Sequence, residues 1–241
     1  MNEAVKLENL NYVYPDGHRA LDDICLSIGY GECIAIAGSN GAGKSTLLLH
    51  LNGIIHGSNG AVKVSGLPVN SANLKIIRSR VGVVFQNPDD QLFCPSVFDD
   101  VAFGPINMGL AEAEVKQRVV NALEAVGLAG FEKRSSHHLS LGEKKRIALA
   151  SVLSMRPEVL ALDEPSSNLD PAAKWGLIKL LKSLDITKII VSHDLELIGA
   201  LCPRLVVMKQ GRILADGVTA EIMADRDLLV AGGLAATASE P

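Results

Sequence analysis

Residues 38–45 read Gly38-Ser39-Asn40-Gly41-Ala42-Gly43-Lys44-Ser45, the pattern G-x-x-x-x-G-K-[ST]. Its neighbours constrain the fold as much as the pattern does. Cys33-Ile34-Ala35-Ile36-Ala37 precedes it as an apolar, strand-forming run, and Thr46-Leu47-Leu48-Leu49-His50-Leu51 follows as a helix start. Strand, glycine loop and helix in this order make a phosphate site. The glycines let backbone N–H groups converge on phosphate oxygens, and the helix N-terminus adds partial positive charge. Lys44 then reaches the β- and γ-phosphates and the Ser45 hydroxyl takes Mg²⁺. Ser39, Asn40, Gly41, Ala42 and Thr46 complete the cradle.

The 241 residues are 48 % apolar but only 4 % aromatic, so aliphatic side chains must build the core. A net charge of −4 provides no general attraction for nucleic acid, and no nucleic-acid partner is expected. Cys25, Cys33, Cys94 and Cys202 are scattered without a C-x-x-C pair, which argues for free thiols in a reducing compartment rather than a zinc site or a disulfide framework. The N-terminus lacks the apolar core of a signal peptide, and the longest apolar run, 147–155, is half a bilayer span. The chain reads as soluble by itself, which leaves docking on a membrane partner open.

Short strands are expected at 5–10 and 24–28 before the phosphate loop, with others at 62–64 and 81–85. Between 87 and 156 the pattern turns helical. Pro88, Pro95 and Pro105 break its first part into loops and short helices; amphipathic helices follow at 111–126 and 143–155. After Pro157 the α/β rhythm returns: a strand at 159–162, a helix at 171–184 capped by Asp170, a strand at 188–191, a helix at 195–201, and a hairpin around Gln210-Gly211. This predicts one α/β domain over 1–230, with a core from 1–86 and 157–230, a helical insertion at 87–156, and a disordered small-residue tail at 231–241.

Three further elements carry chemistry. The strand at 159–162 ends in Asp163-Glu164, suited to holding Mg²⁺ through water (Asp163) and polarising the attacking water (Glu164). His193 follows the next strand and Gln86 the strand at 81–85, both placed to reach the γ-phosphate, its Mg²⁺ or the water. Leu139-Ser140-Leu141-Gly142-Glu143 opens a helix where Ser140 and Gly142 can meet an anion, while Lys144-Lys145-Arg146 reads as a solvated helix face. Taken singly, each of these has an ordinary structural reading.

Together, and in this order, they resemble an ATP-binding-cassette ATPase over roughly residues 3–220. The resemblance implies a RecA-like phosphate-loop core, an N-terminal antiparallel β layer and an inserted helical subdomain. It implies ATP and Mg²⁺ as ligands, with adenine stacked on Tyr14. It also implies two chains sandwiching two nucleotides, so that Ser140, Gly142 and Glu143 of one act on the nucleotide held by Lys44 of the other. Leu141 departs from the family's Leu-Ser-Gly-Gly-Gln, as does Glu143; a positive φ at Leu141 would be strained. Phe85-Gln86-Asn87-Pro88-Asp89-Asp90-Gln91-Leu92-Phe93 and Asp99-Asp100-Val101-Ala102-Phe103-Gly104-Pro105 resemble energy-coupling-factor (ECF) transporter ATPases, in particular the cobalt and nickel import branch. That implies an ATPase dimer at the cytoplasmic face of the cell membrane, with a transmembrane coupling subunit and a substrate-binding membrane subunit; the complete set of site residues favours a homodimer over a heterodimer. Other ABC transporters and soluble non-transport cassettes are the rival readings.

Overall fold

The computed structural model describes residues 3–56 and 59–236. Strands β1 (Glu3–Val13) and β2 (Arg19–Gly29) form the opening antiparallel pair. Val5, Leu7 and Leu10 on β1 and Ile24, Leu26 and Ile28 on β2 are buried, the inward half of a sheet with one dry face. With β4 (Asn59–Val64) and β5 (Leu67–Pro68) they make a four-stranded sheet in the order β2-β1-β4-β5.

The second sheet contains β3 (Cys33–Ala37), β6 (Val81–Val84), β7 (Val159–Asp163), β8 (Thr187–Val191), β9 (Arg204–Lys209) and β10 (Arg212–Val218), in the order β10-β9-β3-β8-β7-β6. All neighbours are parallel except the β9–β10 hairpin. Its parallel strands are apolar almost throughout because both faces are covered. On one face, Leu47, Leu48 and Leu51 of α1 (Lys44–Leu51) share an apolar cluster with residues of both sheets. On the other, α6 (Pro171–Ser183) and α7 (Leu195–Leu201) pack in a second cluster. That cluster runs on into α3 (Val97–Asn107), α4 (Glu112–Ala125) and α5 (Leu141–Leu153), the helices inserted between β6 and β7. The molecule is therefore α/β with an antiparallel β layer and a helical insertion, as the resemblance implied.

Three features depart from the sequence reading. Pro105 does not end a helix but sits inside α3. Its ring leaves the Val101 carbonyl without the usual N–H, and the Ser154 hydroxyl donates to that oxygen instead, at 2.8 Å. Helices α2 (Leu74–Arg80), α8 (Thr219–Ala224) and α9 (Arg226–Ala231) were not expected; each is too short for a periodic signal. Residues 231–236, read as the start of a disordered tail, are docked. The Ser39 N–H donates to Gly232 O at 2.9 Å, and Leu234 packs against the core. The rest of that predicted tail, 237–241, lies outside the described residues.

Candidate nucleotide site

The phosphate loop, Ser192-His193 and Gln86 lie beyond the ends of β3, β8 and β6, and Asp163 ends β7 with Glu164 next after it. These four strands are consecutive and parallel in the sheet, so the four segments emerge side by side at its C-terminal edge. Open α/β sheets bind ligands along this edge. Two glycines of the loop cannot be replaced without a clash. A Cβ on Gly38 would lie 2.1 Å from Met208 O, and one on Gly43 would lie 2.3 Å from Ala20 O. Both have positive φ, +153° and +100°. Gly43 starts α1 without a side-chain cap, leaving the first-turn N–H groups free for an anion. Lys44 Nζ donates to Gly38 O at 2.8 Å and Ser39 O at 3.0 Å, lying along the loop its positive charge serves. Burial lowers its pKa, opposed by Glu164 and Asp163.

Ser45 is exposed at the loop's mouth, near Asp163, whose Oδ1 is buried without a hydrogen-bond partner among the described residues. Desolvation raises the Asp163 pKa, against the Ser45 hydroxyl. A buried, unpartnered carboxylate oxygen beside a hydroxyl is a donor set suited to a hard divalent cation such as Mg²⁺.

Glu164 adopts φ +44°, the turn that swings its carboxylate back toward the sheet edge after Asp163. Its N–H donates to Val191 O at 2.8 Å, fixing that turn to β8. The His193 Nδ1–H donates to Glu164 Oε1 at 2.8 Å and the Ser192 hydroxyl to Oε2 at 3.3 Å. The two expected catalytic side chains are thus in contact, with the carboxylate largely buried and the imidazole ring exposed. Gln86 is exposed just beyond β6. Tyr14 follows β1, and its hydroxyl is hydrogen-bonded to Thr46 Oγ1 at 3.0 Å, which holds the ring at the end of the phosphate loop.

Ser140, Gly142 and Glu143 lie elsewhere, around a separate cavity of about 320 Å³ shared with Asn168 and Asp170. Ser140 caps α5 in a full capping box: its Oγ accepts from the Glu143 N–H, and Glu143 Oε2 accepts from the Ser140 N–H at 2.8 Å. Those bonds hold the Glu143 pKa down, the Ser140 hydroxyl contributing most. Leu141 occupies the first position of α5 with ordinary negative φ, so the departure from glycine brings no strain.

A profile of the ABC transporter family matches residues 21–167. The chain belongs to the ABC transporter family. It is an ATP-binding ATPase of that family. A putative ABC transporter ATP-binding protein of Streptomyces coelicolor is 51 % identical over 226 residues, covering 94 % of this chain and 87 % of its own length. An energy-coupling factor transporter ATP-binding protein, EcfA, of Methanothermobacter thermautotrophicus is 49 % identical over 230 residues, covering 93 % of this chain and 74 % of that protein. Among solved structures, cbiO1 of Clostridium perfringens, described as part of the ABC transporter complex cbiONQ, superposes with a TM-score of 0.84 at 42 % identity and covers 97 % of this chain and 96 % of its own. The ATP-binding cassette MJ0796, solved as a dimer with ADP and Pi, gives 0.80 at 26 % identity, covering 89 % and 98 %.

Two residues of this ABC protein escaped the sequence reading. Lys145, taken for part of a solvated face, is buried. Its Nζ donates to Pro165 O and Ser167 Oγ, both at 3.0 Å, and to Glu164 O at 3.3 Å, tying α5 to the loop behind the Glu164 carboxylate. Gln91 donates to Ala148 O at 2.8 Å and Ser151 Oγ at 2.9 Å and accepts from the Phe85 N–H at 3.2 Å. With the Lys144–Asp89 ion pair at 2.7 Å, it fastens the segment after Gln86 to α5. No local pattern marks either residue; both depend on elements far apart in sequence.

Proposed function

We propose that two copies of this chain form the ATPase pair of an ECF-type importer at the cytoplasmic face of the cell membrane, taking up a micronutrient, in our reading cobalt or nickel ion. The observation that carries it is the convergence of Lys44, Ser45, Asp163, Glu164 and His193 at one sheet edge, with Asp163 Oδ1 unpartnered among the described residues. In this reading Lys44 and the loop N–H groups of 38–46 hold the triphosphate, and Tyr14 holds the adenine. Ser45 and Asp163 hold Mg²⁺ with Gln86 beside them, and the ion when bound neutralises phosphate charge. Glu164 accepts the proton of the attacking water, while the His193 and Ser192 hydrogen bonds keep its carboxylate aimed. Ser140, Gly142 and Glu143 complete the site of the other copy. Their position around a cavity apart from Lys44 supports that division, as does the dimer of MJ0796.

Coupling runs through the segment after Gln86. It borders an open apolar groove of about 1060 Å³ lined by Ile76, Phe85, Phe93, Phe103 and Met108. Phe93 is 63 % exposed and Phe103 50 %, their rings edge to face 5.2 Å apart. Such a groove suits an apolar helix of a membrane subunit, and among the described residues no helix is long and apolar enough to cross a membrane itself. Similarity to EcfA and to cbiO1 supports the ECF assignment. Replacing Phe93 and Phe103 with Asp should abolish co-purification with the membrane subunits and cobalt or nickel uptake by cells, while ATP hydrolysis in solution persists. Unimpaired assembly would refute the docking site; co-purification of the unaltered chain with an exporter's subunits would refute the importer.

A further inference from the structure

Cys33 and Cys202 stand 169 positions apart in sequence, and their sulfur atoms lie 3.6 Å apart. Cys33 opens β3 and is partly accessible, whereas Cys202 ends α7 and is 2 % exposed. The register pairing Ile34 with Arg204 sets β3 one strand spacing from β9. Cys202 lies two positions ahead of Arg204, at the end of α7 and beside the first residue of β3. At 3.6 Å the two sulfurs are in contact, and a bond requires them to close to about 2 Å. Lys188 is the register partner of Cys33 on β8. The Cys33 thiol is held below its ordinary pKa, first by the hydrogen bond from the Cys202 thiol and then by the Lys188 ammonium, against burial. Cys202 is pushed up, by the same pairing and by burial. The two sulfurs thus share one hydrogen bond, with the more accessible Cys33 the easier of the two to deprotonate. Cys25 and Cys94 have no cysteine partner among the described residues.

We propose that Cys33 and Cys202 form a peroxide-oxidisable dithiol that closes to an intrachain disulfide between β3 and the end of α7. The Cys33 thiolate attacks one oxygen of hydrogen peroxide, breaking the O–O bond to give a sulfenic acid and hydroxide. The hydroxide takes the proton of the Cys202 thiol and becomes water. The Cys202 sulfur then attacks the Cys33 sulfur and expels hydroxide, which leaves as a second water after protonation. Two thiols lose two electrons and peroxide gains them. The bridge forms at the N-terminal end of β3, away from the phosphate loop at its other end, so it braces the sheet rather than blocking the site.

The test treats the purified full chain with a small excess of hydrogen peroxide. The expected result is a fall in titratable thiols from four to two, with tryptic mass spectrometry finding the Cys33 and Cys202 peptides joined. The thermal midpoint should rise by about 5 °C or more, since the link closes a long loop of the unfolded chain. ATPase activity should stay within about twofold of that of the reduced protein, and dithiothreitol should reverse both changes. C33S and C202S, each close in size to the parent, should show no linked peptide and no rise in midpoint. Oxidation confined to Cys25 or Cys94, a linked peptide that joins two chains, or Cys33 advancing to sulfinic acid with Cys202 still reduced would each overturn the proposal.

Discussion

Lys145→Met isolates a buried charge that joins α5 to the catalytic loop. Burial pushes the Lys145 ammonium from 10.5 down to about 8, against the pull of Glu164. A base with a depressed native pKa is proton-poor in the folded chain relative to the unfolded one between about pH 8 and 10.5. Stability therefore rises with pH across that window. For these two values the single-site linkage gives a gain of about 2 kcal/mol between pH 7.5 and 9.5. The Met variant keeps the length of the side chain but has no charge to desolvate, and it leaves the oxygens of Pro165 and Ser167 without their donor. The two changes oppose each other, so stability at pH 7.5 should alter by less than about 2 kcal/mol in either direction. Urea unfolding followed by Trp175 fluorescence at both pH values provides the assay. Relative to K145M, the unaltered protein should gain about 2 kcal/mol on going from pH 7.5 to 9.5. An identical pH dependence in both proteins would show that the ammonium is not buried as described.

Glu164→Gln keeps the volume and the hydrogen-bonding positions beside His193 and Ser192 but cannot take a proton. Steady-state ATPase turnover should fall by about 10²–10⁴-fold while ATP affinity is retained; full turnover would remove Glu164 from the role of base. Leu141→Gly tests the first residue of α5. Because that residue is helical, glycine there should lower stability by up to about 1 kcal/mol and change turnover less than twofold, and stabilisation by glycine would mean the native φ is positive after all.

The phosphate loop was legible because its requirements are local: the glycines, Lys44 and Ser45 are contiguous, and flanking apolar runs reveal the strand and the helix. Asp163-Glu164 and His193 were legible for a related reason, each standing just after a buried strand. The contact between Glu164 and His193 was not, since it needs β7 beside β8 and a positive φ at Glu164. Lys145 and Gln91 were missed because their partners lie on other elements. Ser140 and Glu143 were read only as nucleotide contacts, although Ser-x-x-Glu is also the signature of the capping box observed. Short helices such as α8 and α9 leave almost no periodic trace, which also hid the docking of Gly232 on the phosphate loop.

The central claim is that each nucleotide is gripped by the phosphate loop of one copy and the Ser140–Glu143 segment of another. Lys44→Ala disables the first function. Gly142→Asp disables the second by setting a carboxylate against phosphate, and its Cβ meets only ordinary contacts, 3.6 Å from Ala173. Each variant alone should be inactive. In an equimolar mixture, random two-fold pairing leaves one intact site in half of the dimers, so ATPase activity should recover to about a quarter of the unaltered protein's. A mixture as inactive as its components would contradict the account.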